Sequence, residues 1–507
     1  MRRALFQLSF LLTLCALITL PNLAAQGLTN SEAHRVIPAL EMLNTGDYLV
    51  PHMFSQPYLR KPQLTPWLFA AALNLHNDPT LTPRLVSALC FTLTVLASFF
   101  FARRWFGNRA GFPAAIALTL TPLYWSPARA AEIESLNNLL TALAAWLAID
   151  LINKTKPHNS FKHKLPTATL LIITALLMLL TKGPAGFPIL LSLLLSTAIL
   201  NRSIKSFFNL SILLPVALAA ALFAWFWSIT LAAAGPDAIV QSPNAFMFEA
   251  DKFPKLAGFI PVSLLTALPI TGALLFPWGK DAKAEASQSE QLQKQLHTAK
   301  LIALSIPLAL LIMNITGVSN DRYAQPILIT AAPLTGWLLT IYSTGTLQPH
   351  RQKIFNTITL GSPKILATIL AALAILYITT IEPANRATSG KQPALKLAED
   401  LQTNLPPLPP NTRYILVADA MIEARPETLL YLHRALKNTD HQLQILWLPN
   451  LPPERLTNLN AASPTPLLAL IRTDPPSKEP DKVLPNKVIA TGTVHEFDFS
   501  LVILQMK

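Results

Sequence analysis

Apolar runs of about 20 residues recur along this chain, and no other feature restricts its fold as severely. Lipid offers backbone groups no hydrogen-bond partners, so such runs must fold as helices that satisfy themselves. The runs Ala4–Leu20, Leu81–Ala102, Ala110–Ser126, Ser135–Ile152, Pro166–Thr181, Pro184–Leu200, Phe208–Ala233, Ala257–Trp278, Leu301–Gly317, Ala324–Tyr342 and Lys364–Ile381 predict an α-helical polytopic membrane protein of about eleven spans. Charged residues make up only 13% of the 507, against about 25% in soluble domains. Arg2 and Arg3 before the first run, and Asn22-Leu23-Ala24-Ala25 after it, also match a secretory signal cleaved after Ala25. An uncleaved first span is the preferred reading, because a polytopic body needs no removable signal.

The net charge of +13 does not point to nucleic acid, since no basic face or binding motif accompanies it. The basic residues sit in short loops instead, as membrane topology requires. With the N-terminus inside, the inner loops hold Arg103, Arg104 and Arg109; Lys154, Lys156, Lys162 and Lys164; Arg202 and Lys205; Lys280, Lys283, Lys294 and Lys300; and Arg351, Lys353 and Lys364. The opposite loops are less basic and mix both signs. An odd span count then places Glu382–Lys507 outside. In that tail Leu405–Asn411 is a stiff Pro-rich linker. Arg413–Asp419, Gln444–Leu448, Leu467–Arg472 and Phe497–Gln505 read as strands, with a helix over Glu427–Lys437. The expected division is a membrane domain over 1–381, including a first outer loop over 26–80, and a small C-terminal α/β extramembrane domain over 382–507. The inner loop Asp281–Lys300 reads as a solvated helix or as disordered. Cys15 and Cys90 both lie in apolar runs, so neither a disulfide framework nor a Cys-based zinc site is available.

The stretch Thr29–Trp67 is too long for a plain connection and too rich in Leu, Met, Tyr and Trp for disorder. It predicts a folded cap on one membrane face. Thr29-x-x-Glu32 matches a capping box, Ala33, Val36, Ile37, Leu40 and Leu43 form an apolar stripe, and Gly46 ends the helix. Pro38 should kink or restart that helix. Polar residues from several outer loops could meet at this cap: Glu32, His34, Arg35, Glu41, Asp47, His52, Tyr58, Arg60 and Lys61; Arg129, Glu132 and Glu134; Lys182; Asp237, Glu249, Asp251 and Lys252; and Asp321, Arg322 and Tyr323. Ionisable groups at membrane depth are costly and tend to face a functional cavity. Carboxylates, cations and tyrosines together suit an anionic, hydroxyl-bearing substrate. Each has a plainer role as well: Glu32 as a cap, Glu134 as a favourable charge at a helix N-terminus, Lys61 and Lys182 as interfacial lysines, His52 as a packed side chain.

The run Glu41-Met42-Leu43-x-x-Gly46-Asp47-Tyr48-x-Val50-Pro51-His52, followed by Pro57-Tyr58-x-x-Lys61-Pro62 and Trp67, resembles the first periplasmic loop of the aminoarabinose lipid A transferases. These group with the dolichyl-phosphate-mannose–protein mannosyltransferases in the GT-C superfamily. Phe99–Gly111, Thr181-Lys182-Gly183-Pro184 and Arg322-Tyr323-x-x-Pro326 with Pro333 resemble later segments of the same family, in the same order. The resemblance implies a GT-C membrane fold and a bacterial inner-membrane location, with first loop and tail on the periplasmic side. It also implies transfer of a sugar from a polyprenyl-phosphate donor to a lipid, glycan or protein acceptor, as in lipid A modification. The family's Asp-Glu pair falls on Ser31 and Glu32, its second acidic position on Glu134, and its Arg-Tyr on His34-Arg35.

In that chemistry the acceptor hydroxyl loses its proton as it attacks the anomeric carbon, so a carboxylate serves as general base. Ser31 cannot do this at neutral pH, which leaves Glu134 or Glu32, with Glu134 favoured. The departing phosphate requires cations and donors, for which Lys61, Tyr58, Lys182, Arg322 and Tyr323 are the candidates. A divalent cation bound by carboxylates and His52 is conceivable, although the ligand set is a weak one. Two alternatives stay open: a degenerate relative that binds lipid-linked sugar without transferring it, and a transporter or flippase. Ionisable or broken-helix features at mid-span would favour the latter, and here the charges gather at span ends.

Overall fold

The computed structural model describes residues 2–25, 27–54, 56–154, 161–236, 238–240, 256–275, 289–316, 321–343 and 362–381. In the tail it describes the strands 413–419, 442–448, 467–472, 487–494 and 497–504; residues 353, 356 and 430 are also described. After helix α1 (Arg2–Thr19) the chain enters the cap. Helix α2 (Asn30–Thr45) starts on a complete capping box: the Thr29 hydroxyl accepts the Glu32 N–H, and the Glu32 carboxylate accepts the Thr29 N–H. Gly46, at φ 76°, closes it with a bond from its N–H to the Met42 carbonyl. Pro38 lies inside α2 and the helix continues through it, so no restart occurs. Burial of Ala33, Val36, Ile37, Ala39 and Met42 on the surrounding turns offsets the lost hydrogen bond.

The Asp47 carboxylate then turns the chain by accepting the N–H groups of Leu49 and Val50. Strands β1 (His52–Met53) and β2 (Gln56–Leu59) pair antiparallel. Strand β3 (Ile239–Val240) adds in parallel to β2. In helix α3 (Leu64–Leu75) the Trp67 indole N–H donates to the Tyr48 carbonyl at 2.7 Å. The Gln63 amide just before it donates to the Leu49 carbonyl and the Thr230 hydroxyl at 3.0 and 3.1 Å. The loop is therefore the folded cap its composition predicts.

The membrane body comprises α4 (Leu81–Phe106), α5 (Gly111–Thr119), α6 (Trp125–Ala128), α7 (Glu134–Asn153), α8 (Phe161–Lys182), α9 (Phe187–Leu200) and α10 (Leu210–Ala234). It continues with α11 (Leu256–Thr266), α12 (Gly272–Leu275), α13 (Glu290–Ile315), α14 (Asp321–Leu328), α15 (Ala332–Ser343) and α16 (Pro363–Leu376). Among the described residues seven helical stretches are long and apolar enough to cross a membrane. Four predicted runs are built differently. Ala110–Ser126 breaks after α5, because Thr121, preceding Pro122, adopts an extended backbone (ψ 112°). Pro166–Thr181 and Pro184–Leu200 form one helical stretch, Lys164–Leu200, articulated at Gly183 (φ 62°). Ala257–Trp278 is interrupted by a turn over 267–271, and its end lies outside the described residues. The predicted solvated segment Asp281–Lys300 also needs correction over its described part. Residues 290–300 begin α13, and Gln295, Leu296, Thr298 and Ala299 are buried rather than solvated.

Helix α7 is the axis of the body: 94% of its span is buried, against 17% for α10. An apolar helix covered on all sides belongs to the centre, and one left bare, like α10 with Leu214, Leu218 and Trp225 exposed, faces lipid. In the tail β5 (Gln442–Leu448), β4 (Arg413–Asp419) and β6 (Leu467–Arg472) lie side by side in parallel. Strands β8 (Phe497–Leu504) and β7 (Lys487–Val494) complete the sheet antiparallel, in the order β5-β4-β6-β8-β7. Strand β7 is the one the sequence reading omits; Lys, Thr and Gly weaken its apolar pattern. The expected linker 405–411 lies outside the described residues, as does the expected helix 427–437 apart from Leu430.

Candidate active site

Glu132, in the loop before α7, and Glu134, the first residue of α7, bring two carboxylates close to the cap, where Ser31 meets Glu132. Both sit where a helix N-terminus favours negative charge. Glu134 is buried, and its Oε1 receives the Lys182 ammonium at 3.1 Å and lies 3.5 Å from Arg322 Nε. Lys182, the last residue of α8, is buried beneath the Tyr323 ring, with its Nζ 4.3 Å from the centroid. Arg322 also forms an ion pair with Glu132 Oε2. The other Glu132 oxygen accepts the Ser31 hydroxyl from the first turn of α2 at 2.5 Å. Burial and the neighbouring Glu134 push the Glu132 carboxyl above the ordinary carboxylate value, against the pull of Arg322 and Ser31.

Beside this cluster a cleft opens between α2, β2 and the start of α3, lined by His34, Arg35, Pro38, Pro51, Tyr58, Lys61, Pro62, Thr65, Pro66 and Ile133. Burial, together with Arg35, Lys182 and Arg60, lowers the Lys61 ammonium to about 8; Glu134 pulls the other way. Burial and the cations Arg35 and Arg60 hold His34 down at about 3, so its ring is neutral at physiological pH. Its Nδ1 shares a hydrogen bond with the Tyr58 hydroxyl at 2.8 Å, and the two rings stack. The result is a concave site with cations from α2, the β2–α3 turn, α8 and α14, set against the buried carboxylate of Glu134 and the half-buried one of Glu132. Such a set of groups can stabilise charge developing on a phosphate and accept a proton.

The structure thus brings together Glu134, Lys182, Arg322, Tyr323, Lys61 and Tyr58 from the predicted set. Glu32 is committed to other partners. Both of its oxygens are engaged, by Arg84 Nε at 2.7 Å, Arg84 Nη2 at 2.9 Å, the Ala131 N–H at 2.8 Å and the Thr29 N–H at 2.7 Å. Burial alone would raise its carboxyl; Arg84 and these N–H groups reverse that and bring it to about 2. It is the cap reading of Glu32 that the geometry matches. His52 pairs with Asp47 at 3.9 Å. Among the described residues no group of three His, Cys, Asp or Glu side chains is placed to hold a metal ion, so no step is assigned to one. Asp237, Glu249, Asp251 and Lys252 lie outside the described residues.

Three participants are underweighted by the sequence reading. Arg84 passes inside an apolar run, although an arginine there always requires a partner. It also donates to the Leu23 and Gly27 carbonyls and so ties α4 to the cap entry. Arg35 follows His34 in the loop and is visible only as one charge among many. Glu132 carries a legible signal, a second carboxylate two residues before Glu134.

Fold and site together define a polytopic membrane protein of the GT-C fold with its polar site beneath a folded first loop. Within that class its fold is similar to that of ArnT. Residues 60–227 match the dolichyl-phosphate-mannose-protein mannosyltransferase family. Two bacterial relatives are undecaprenyl phosphate-alpha-4-amino-4-deoxy-L-arabinose arabinosyl transferases. The Pseudomonas fluorescens protein is 32% identical over 113 residues, covering 22% of this chain and 18% of that one. The Serratia proteamaculans protein is 26% identical over 253 residues, covering 47% and 44%. The chain therefore matches less than half the length of these relatives. The crystal structure of ArnT from Cupriavidus metallidurans superposes in the apo state with a TM-score of 0.68 and when bound to undecaprenyl phosphate with 0.65. Each comparison covers 99% of this chain and 98% of that one at 16% identity, which establishes a common fold. Its apolar helices and bacterial relatives make this a multi-pass protein of a bacterial inner membrane.

Proposed function

We propose that this protein is a glycosyltransferase that moves a sugar from a polyprenyl-phosphate donor to an envelope lipid, glycan or protein on the outer face of the membrane. The observation that carries the reading is the convergence of Lys61, Arg35, Lys182 and Arg322 around the carboxylates of Glu132 and Glu134, beside a cleft lined by the cap. The cations take the phosphate and its growing charge, Tyr58 and Tyr323 line the approach, and one carboxylate of the Glu132–Glu134 pair receives the acceptor proton. The names of the relatives support a sugar donor carried on undecaprenyl phosphate, and the fold is one that holds undecaprenyl phosphate in ArnT from Cupriavidus metallidurans. The first loop and the segment 382–507, read as a separate α/β domain, lie on the periplasmic side in this proposal. Deleting the coding sequence and comparing lipids and envelope glycans by mass spectrometry tests it. Loss of one defined sugar mass, restored by the intact chain, is the expected result. An unchanged envelope in a strain that expresses the protein refutes transfer and leaves a binder of lipid-linked sugar.

A further inference from the structure

We infer that, in the transfer proposed above, Glu132 is the group that takes the proton from the acceptor hydroxyl, with Ser31 holding its carboxylate in place. The two carboxylates of the site differ in what a proton would cost them. Glu134 is the counterion of Lys182, whose side chain is 4% exposed, so protonating Glu134 strands a buried ammonium. Glu132 can be neutralised without that penalty. Arg322 keeps its second partner, Glu134 Oε1, when Glu132 loses its charge. The contact to Ser31 survives as well, because a hydroxyl donates to a carboxylate and accepts from a carboxylic acid.

Position agrees with this division. The Glu132 side chain is 15% exposed against 7% for Glu134, so it is the more accessible of the two carboxylates. The groups facing it are Ser31 from α2, Glu134 from α7 and Arg322 from α14. Burial and Glu134 raise its affinity for a proton, as a base working near neutrality requires. Ser31, which cannot itself accept a proton, thereby becomes the support for a carboxylate supplied from the loop before α7. In the step, the acceptor oxygen forms a bond to the anomeric carbon while the bond from that carbon to the phosphate oxygen breaks. The electron pair leaves with the polyprenyl phosphate beside Lys61 and Arg35, and the proton passes to Glu132 and then to water.

The test follows the initial rate at which the missing sugar mass returns after induced expression of variants in the deletion strain. Binding of undecaprenyl phosphate to each purified variant is measured in parallel. E132Q keeps the size and the contacts to Ser31 and Arg322, so binding stays within about twofold while the rate falls by about 10²–10⁴-fold. E132S removes the carboxylate, and the double variant S31D/E132S returns it from the other side of the contact; the double variant is expected to run at least tenfold faster than E132S. A structural role for Glu132 predicts no such rescue. Wild-type rate in E132Q, or a double variant no faster than E132S, overturns the assignment while leaving the transferase reading intact. A deletion strain that loses no sugar mass overturns the transferase reading, and the assignment with it.

Discussion

Replacing Glu32 with alanine separates a structural carboxylate from a catalytic one. In the native protein this residue is 1% exposed and binds Arg84, which is 0% exposed, while also closing the start of α2 and receiving the Ala131 N–H. Its carboxyl falls from the ordinary 4.5 to about 2 on folding, a preference for the charged form of about 3 kcal/mol. Removing one member of a buried pair costs about 3–5 kcal/mol, so the two routes agree in size. Glu32→Ala therefore lowers the unfolding temperature of the detergent-purified protein by several degrees. Glu32→Ala/Arg84→Met recovers part of that loss, because no charge is left buried alone. The sign with pH follows from the lowered carboxyl: this stabilisation is complete above about 4.5 and fades as pH falls towards about 2. Thermal unfolding monitored by size-exclusion fluorescence reads the wild type and both variants, with sugar transfer normalised to folded protein. Unchanged melting accompanied by lost transfer would make Glu32 a reacting group and refute the structural assignment.

Lys61→Ala weakens undecaprenyl-phosphate binding by about 1.5–3 kcal/mol, the scale of a charge-assisted hydrogen bond, and unchanged affinity in a folded variant removes Lys61 from the phosphate site. Because the Lys61 ammonium is lowered to about 8, wild-type affinity declines as pH rises through 8, and Lys61→Arg abolishes that decline. Cysteines placed at Asn44 and Asn411 both label from outside in intact spheroplasts; labelling of Asn411→Cys only after lysis reverses the side assigned to the tail. Gly336→Ala on α15 places a Cβ 2.3 Å from the Ala110 carbonyl and 2.5 Å from the Ala114 Cβ, so it destabilises by about 1–3 kcal/mol; an unaltered melting temperature would contradict the close packing of α5 and α15.

What the sequence determines by itself is what depends on neighbours along the chain. Apolar runs name the membrane helices, Thr29-x-x-Glu32 and Gly46 mark the two ends of α2, and the mass of Leu, Met, Tyr and Trp in Thr29–Trp67 requires a folded cap. Hydropathy alone does not decide whether a run crosses as one helix: Pro122 and the turn over 267–271 break two of them into shorter pieces. Nor does it decide which carboxylate works. Glu32, Glu132 and Glu134 are chemically alike, and their roles diverge only through partners distant in sequence. Arg84 lies 52 residues beyond Glu32, Lys182 lies 48 beyond Glu134, and Arg322 lies 190 beyond Glu132. A buried charge is set by what faces it, since desolvation and pairing energies are each several kcal/mol and nearly cancel. Tertiary structure supplies those facing groups, and so it alone separates Glu32, held by Arg84, from Glu132 and Glu134 beside Arg322 and Lys182.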